Sequence, residues 1–483
     1  MRELKNLIGG ELAPALSGNF LDDRDPATGE LIARIPASDV RDVDAAVQAA
    51  RAAFPSWARL EAAERGRYLR RLARLIERDL EKFAAAESLD SGKPLGLART
   101  VDIPRAIQNF SFFADAATQF ASESHASHDS INYTLRSPLG AVACISPWNL
   151  PLYLLSWKIA PALAAGNTVV AKPSEVTPLT AHMLGELCVE AGLPAGVLNL
   201  VHGLGPAVGA PLVSHDGIAA ISFTGSTRVG REIALSAAAR FKKVSLEMGG
   251  KNATIVFADA DLDLAAHECI RAAFSNQGQI CLCGSRILVE RSIYQRFAAR
   301  LIEKVRALRI GDPREESTDQ GAVVSPAHFE KIMSCLALAK SEGGQLLCGG
   351  NRAQVAGRCS SGLFIEPTLI EGLGPKTKTN QEEIFGPVAT LQPFDSDEHA
   401  LELANAVRYG LAASVFTTDL SRAHRFARDL RSGIVWINCW MLRDLRTPFG
   451  GVGESGIGRE GGFEAMRFFT EPKNVCVKLA GAP

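Results

Sequence analysis

From about Ser38 to Leu89, apolar residues recur every three or four positions, in "DVRDVDAAVQAARAAFPSWARL" and again in "AAERGRYLRRLARLIERDLEKFAAAESL". That spacing predicts helices with one buried stripe and arginine-rich solvated faces. A further helix is expected over Ile103 to Gln119. The pattern then changes. "INYTLRSP" alternates as an extended ribbon does, and "GAVACIS" is a fully apolar strand. From there to Gly250 short apolar strands alternate with helices: "GAVACIS" leads to "LPLYLLSWKIAPALAAG", "NTVVAKPS" to "PLTAHMLGELCVEAG", and "VLNLVHG" and "IAAISFTGS" each have a helix of their own. Such alternation implies a parallel sheet covered on both faces, a doubly wound α/β domain that binds ligands beyond the C-terminal ends of its strands. A second α/β segment runs from about Lys251 to Leu430, with strands in "NATIVF", "GSRILVE", "VATLQPF" and "AASVFTT". The chain closes on "GIVWIN", a glycine-rich loop and the strand-like "KNVCVKL".

With 483 residues, two or three domains are expected. The 52 basic and 53 acidic side chains leave a net charge of -1, which offers no patch for nucleic acid or an acidic polymer. The N-terminal stretch does not have the pattern of a signal peptide, and no apolar run reaches the length of a membrane span. "YLLSWKIAPALAAG" comes nearest but contains Lys158 and Pro161, and is expected to be a buried helix. Ten cysteines spread along the chain without metal-ligand spacing point to a reducing cytosol and to no bound metal.

Five stretches fall where such sheets carry their chemistry. "SPWNLP" places Asn149 just after a strand, where a carboxamide can donate to an oxyanion or simply satisfy turn backbone. "AKPSE" offers Lys172 and Glu175, suited to the sugar hydroxyls of a dinucleotide or to a surface ion pair. "FTGSTRVG", Phe223 to Gly230, is a glycine turn before a helix whose free NH groups suit a phosphate; it is not GxGxxG, and many strand-to-helix turns need a glycine. "SLEMGGKN" places Glu247 after a strand, as a general base or a solvated acid. "NQGQICLCGSR" contains Cys281 and Cys283. A cysteine opening a short turn among NH donors has the setting for a lowered thiol pKa, although most lone cysteines act as small hydrophobes.

Taken in this order, Asn149, Glu247 and Cys281 inside these motifs closely resemble the aldehyde dehydrogenase superfamily. The resemblance spans nearly the whole chain and includes "EEIFGPV" and "PFGGVGESGIGREGG". It implies an aldehyde dehydrogenase-like α/β fold: a discontinuous NAD-binding domain (1–125 and 141–250), a catalytic domain (251–430), a small β oligomerisation element (126–140 and 463–483), and a loop region lining the substrate site (431–462). It implies Cys281 as nucleophile, Asn149 as oxyanion donor, Glu247 as base for thioester hydrolysis, and no necessary role for Cys283. For the cofactor it implies Lys172 and Glu175 at the adenosine ribose, Gly225 and Ser226 near the pyrophosphate, Trp148 beside the site, Glu383 at the nicotinamide ribose and Phe385 packing nearby. A carboxylate at Glu175 would accept from ribose hydroxyls and repel a 2′-phosphate, so NAD is expected over NADP.

The stretch "NCWMLRDLRTPFGG" resembles the branch that oxidises 2-aminomuconic and 2-hydroxymuconic 6-semialdehydes. Those substrates carry a carboxylate remote from the aldehyde, which calls for a guanidinium. Arg443 and Arg105 are the candidates, with Arg446 in reserve. Gly453 and Glu454 depart from relatives, which often carry a lysine and a small or polar residue in this loop, expected at the substrate entrance. Aliphatic, betaine or aromatic aldehydes, release of the thioester to CoA, and a non-catalytic binding or structural protein on the same fold stand as alternatives. Exposed ribbon edges imply a homodimer or homotetramer.

Overall fold

In the computed structural model, which describes residues 2–479, the first sheet has eight strands. Its five central strands are parallel and run in the spatial order Lys243–Glu247, Ala220–Thr224, Ala141–Ile145, Thr168–Lys172, Leu198–Leu200. The first strand in sequence, Ala141–Ile145, thus lies in the middle, and the chain winds outward from it in both directions. This is the doubly wound order, and its switch point is the crevice between the loops that follow Ala141–Ile145 and Ala220–Thr224. Both faces are covered. Val142, Cys144, Val169 and Ala171 point into one core, with helices Ala62–Arg78, Ile103–Gln119, Pro151–Ala164 and Leu179–Glu190. Ala141, Ala143, Ile145 and Val170 point into the other, with helices Val40–Arg59 and Thr227–Ala238. Helix Pro151–Ala164 is buried along its whole length, Lys158 included, as its apolar run predicted.

The second sheet has seven strands, in the order Gln345–Cys348, Thr368–Glu371, Val388–Phe394, Arg286–Glu290, Ala253–Val256, Ala412–Phe416, Ile434–Ile437. The stretch 431–462, expected as loop, needs correcting on this point. Ile434–Ile437 is an edge strand of the second sheet, paired in parallel with Ala412–Phe416, and Gly456–Ile457 pairs antiparallel with Lys243–Glu247 at the edge of the first. The four apolar residues of "GIVWIN" pack on both faces: Ile434 and Trp436 join the core around helix Pro151–Ala164, and Val435 and Ile437 join one beneath the second sheet. The chain's last segment thereby ties the two sheets together.

A third, three-stranded antiparallel sheet joins Thr470–Lys478, Ser130–Pro138 and Ser124–Ala126. Met1 and residues 480–483, the latter part of the expected oligomerisation element, lie outside the described residues. Residues Asn6–Ile8 and Glu11–Ala13 extend the first sheet as a hairpin, which no helical periodicity foreshadowed. Among the described residues no helix is long and apolar enough to cross a membrane.

Candidate active site

The crevice at the switch point holds a cavity of about 200 Å³ lined by Trp148, Asn149, Gly225, Ser226, Cys281, Glu383 and Phe385, all expected from sequence, together with Met248, His328 and Lys331. Asn149 follows the strand Ala141–Ile145 and is 3% exposed. Its Nδ2 donates to Gln279 O at 2.8 Å, and since the amide carries two hydrogens, one remains for an oxyanion. Its backbone carbonyl is fixed from behind by Lys93 Nζ at 3.0 Å and Asn276 Nδ2 at 3.1 Å. Lys93 is itself buried and ion-paired to Asp102 at 2.5 Å.

Cys281 sits in a turn between helix Leu262–Phe274 and strand Arg286–Glu290. Asn276, Gln277 and Gly278 are all left-handed, with φ of 53°, 55° and 69°. For two side-chain-bearing residues this conformation is strained by on the order of 1–3 kcal/mol each. Side-chain bonds hold it: Gln277 Nε2 donates to Ala322 O at 2.7 Å and Gly92 O at 3.1 Å, while Val324 N donates to Gln279 Oε1 at 3.1 Å. Asn252 Nδ2 donates to the carbonyls of Cys281, at 2.7 Å, and Cys283, at 3.0 Å.

The sequence left open whether the Cys281 thiol is lowered or behaves as a small hydrophobe, and its surroundings act against the thiolate. The residue keeps part of its surface open to the cavity, but enclosure of the sulfur pushes the thiol up, and the nearby carboxyls of Glu383 and Glu247 add to this; Arg443 opposes them. Cys283 is buried and pushed up to about 12 by the same desolvation, as suits a packing thiol.

Glu247 ends its strand behind the cavity rather than on its wall. It is 3% exposed, and neither carboxyl oxygen has a hydrogen-bond partner among the described residues. Burial, and then the nearby Glu460, raise its pKa well above the usual carboxyl range against the pull of Lys158, Arg459 and Arg443. Gly450 explains one glycine of "PFGG": a Cβ there would stand 2.5 Å from Glu247 Oε1, and φ is 149°. Lys158 and Glu460 form a buried pair at 2.7 Å; from sequence Lys158 was noted only as a charge in an apolar helix and Glu460 was given no role.

The residues present suit a dinucleotide. Ser226 caps helix Thr227–Ala238, so the helix's first NH groups face the crevice. Glu383 Oε1 accepts from Gly250 N at 3.0 Å, and a side chain on Gly249 would collide with Glu383 Oε2 at 2.1 Å, so that glycine makes room for the carboxylate. Phe385, at φ 63°, packs edge-on against Trp148 with ring centroids 5.3 Å apart. His328 Nε2 lies 2.7 Å from Phe385 O; burial pushes its pKa down to about 4, so the neutral ring donates that bond. Lys172 and Glu175 lie outside the central cavity, paired at 2.9 Å, and Glu175 borders a second cleft of about 510 Å³ with Val176, Leu204 and Val324. His328 and Lys331 carried no sequence motif of their own, and Lys251, inside "SLEMGGKN" but given no role there, is buried, with its Nζ unpartnered among the described residues and pushed down to about 7.

Arg443 and Arg105 meet at one side chain. Arg443 Nη1 donates to the Tyr153 hydroxyl at 2.6 Å, and the Arg105 guanidinium lies 5.8 Å from the Tyr153 ring centroid. Among the described residues neither has a carboxylate partner. Arg446, the reserve candidate, is corrected: it is exposed and ion-paired to Asp444 at 2.5 Å. Glu454 is held by Arg408 at 3.0 Å and Arg231 at 3.4 Å, so its carboxylate bridges surface elements instead of entering the Arg443 cluster.

Residues 14–475 match the sequence model described as the aldehyde dehydrogenase family. The chain is 49% identical over 479 residues to a 2-aminomuconic semialdehyde dehydrogenase of Bos taurus, covering 98% of each. It is 48% identical over 486 residues to a 2-hydroxymuconic semialdehyde dehydrogenase of Pseudomonas sp. (strain CF600), covering 99% of this chain and 100% of that one. The crystal structure of PnpE in complex with nicotinamide adenine dinucleotide superposes with a TM-score of 0.96 at 41% identity, covering 100% of this chain and 98% of that one.

Proposed function

The chain belongs to the aldehyde dehydrogenase family, and from that premise we propose that it oxidises a muconic semialdehyde, of the 2-amino or 2-hydroxy kind, to the corresponding acid with NAD. NAD, when bound, supplies the hydride acceptor, and Lys172, Glu175, Gly225, Ser226, Trp148, Glu383 and Phe385 are the residues to hold it. The Cys281 sulfur, once deprotonated, attacks the aldehyde carbon. The free hydrogen of the Asn149 amide and the Cys281 backbone NH stabilise the oxyanion. An aldehyde carbon releases hydride readily only from this tetrahedral adduct, which is why covalent attack precedes oxidation. Loss of hydride leaves a thioester on Cys281, and Glu247, once ionised, takes a proton from the water that hydrolyses it.

One observation carries the substrate reading: Arg443 and Arg105 converge on Tyr153 with no carboxylate of the described residues to neutralise them. Arg443 is near enough to act electrostatically on Cys281 and Glu247, so an acid group bound there belongs to the molecule whose aldehyde meets the thiol. The domain division expected from the family, a homo-oligomer formed through the third sheet, and a cytosolic location are part of the same reading, the last supported by ten free cysteines.

The test is NADH absorbance with NAD and freshly generated 2-hydroxymuconic and 2-aminomuconic semialdehydes, beside uncharged aldehydes of similar length. A large preference for the carboxylated pair is expected. Turnover of the uncharged aldehydes alone would keep the Cys281 chemistry and overturn the substrate.

A further inference from the structure

Arg443 is oriented on three sides. Its guanidinium lies 4.1 Å from the Phe449 ring centroid and 5.3 Å from that of Trp157, contacts that limit how far its plane can tilt. Rotation within that plane is left to the hydrogen bond from Nη1 to the Tyr153 hydroxyl oxygen. Nε and Nη2, one complete edge of the planar fork, make no bond to the described residues. A carboxylate is the group whose two oxygens match such an edge.

Tyr153 is built to hold that orientation. It is 1% exposed, packed with Leu150 and Leu154 on the opening turn of the helix that follows Asn149. Its backbone carbonyl is itself held by Asn109 Nδ2 at 3.1 Å and Ser156 Oγ at 2.9 Å. The loop that brings Arg443 is anchored separately, through Trp440 Nε1 to Leu282 O at 2.9 Å, next to the nucleophile. Tyr153 is therefore the joint between the element carrying Asn149 and the loop carrying Arg443. A phenylalanine at 153 would keep the packing and the contact with Arg105 but leave Arg443 free to turn in its plane.

We propose that Tyr153 is a positioning residue for substrate selection: its hydroxyl turns the Nε–Nη2 edge of Arg443 toward the substrate's remote carboxylate. The inference rests on the reading that the substrate carries such a group. Because the bond contributes to ground-state and transition-state binding alike, its loss should appear in KM.

The experiment compares kcat/KM for 2-hydroxymuconic semialdehyde with that for an uncharged aldehyde of similar length, in wild type, Tyr153→Phe, Arg443→Ala and the double variant. The expected result is a carboxylated-to-uncharged ratio about tenfold lower in Y153F, carried by KM, as for loss of one hydrogen bond to a charged group. R443A should lower the ratio further, and the double variant should match R443A, since Tyr153 acts through Arg443. A merely structural role would lower both substrates together and leave the ratio unmoved. If wild type shows no preference, the substrate reading itself fails. If wild type discriminates and R443A abolishes this while Y153F keeps the wild-type ratio, the positioning role alone is overturned, as it is if Y153F lowers the ratio again in the R443A background. Should Y153F not fold, Arg443→Lys tests the same claim, because it keeps the charge without the fork: a ratio as low as that of R443A is expected, and a wild-type ratio would overturn the proposal.

Discussion

Cys281 and Glu247 show how far a residue's type and position reach. Both were legible from their motifs, but their protonation was not, because it depends on groups from distant segments: Glu383, Glu460 and Arg443. With the thiol pKa raised, the fraction of thiolate below pH 9 is smaller than in a free cysteine, whose pKa is about 8.5. Alkylation of NAD-free enzyme by iodoacetamide, followed by peptide mass spectrometry, should therefore find Cys281 slower than the exposed Cys476 at pH 7 to 8, with its rate still rising at alkaline pH. Faster labelling of Cys281 at neutral pH would refute the raised pKa. Glu247→Gln separates the two chemical halves: the first burst of NADH should persist while steady-state turnover falls by on the order of 10²-fold or more. If burst and steady state fall together, Glu247 is not the hydrolytic base.

At the scale of elements, helical and strand periodicity located the helix Ile103–Gln119, the buried helix Pro151–Ala164 and the inner strands of both sheets, among them Ala141–Ile145, Thr168–Lys172, Ala220–Thr224, Ala253–Val256, Arg286–Glu290 and Ala412–Phe416. It failed where structure depends on remote partners. The left-handed run at 276–278 has no local pattern, since its support comes from the carbonyls of Gly92 and Ala322. The strand Ile434–Ile437 was hidden for a related reason: its residues are all apolar, so no alternation marks it, and its parallel partner Ala412–Phe416 comes from an earlier segment. The turn yields a prediction with a built-in control. Gln277→Ala removes two buried hydrogen bonds and keeps the strained φ, so it should lower stability by about 1–3 kcal/mol and displace Cys281. Gln277→Gly loses the same bonds but relieves the strain, and should be the more stable of the two by about 1 kcal/mol. Thermal melts with kcat measured alongside decide it: equal stability of Q277A and wild type would show that the side chain does not hold the turn.

At the scale of the whole molecule, the third sheet is the part whose purpose one chain does not reveal. Its strands Thr470–Lys478 and Ser130–Pro138 pair over nine residues, longer than most strands in either large sheet, yet almost every side chain on the first is exposed. Ile131, Tyr133 and Leu135 share one face by their two-residue spacing, and are 38%, 37% and 47% exposed. Val477, opposite Ile131 in the register, is 46% exposed on that face. An apolar row on a thin ribbon has no core of its own to enter, and it stabilises nothing unless another surface covers it. A second copy of the chain meets that need with a self-complementary contact. Light scattering should thus return a multiple of the 51.6 kDa chain mass, and Ile131→Asp with Leu135→Asp should shift it toward the single chain without altering the Asn149 and Cys281 cavity. A monomer in the wild type would mean that the ribbon is covered by something other than its own kind. A variant that stays oligomeric would place the interface on a different face, because two buried unpaired carboxylates cost more than such a contact can offset.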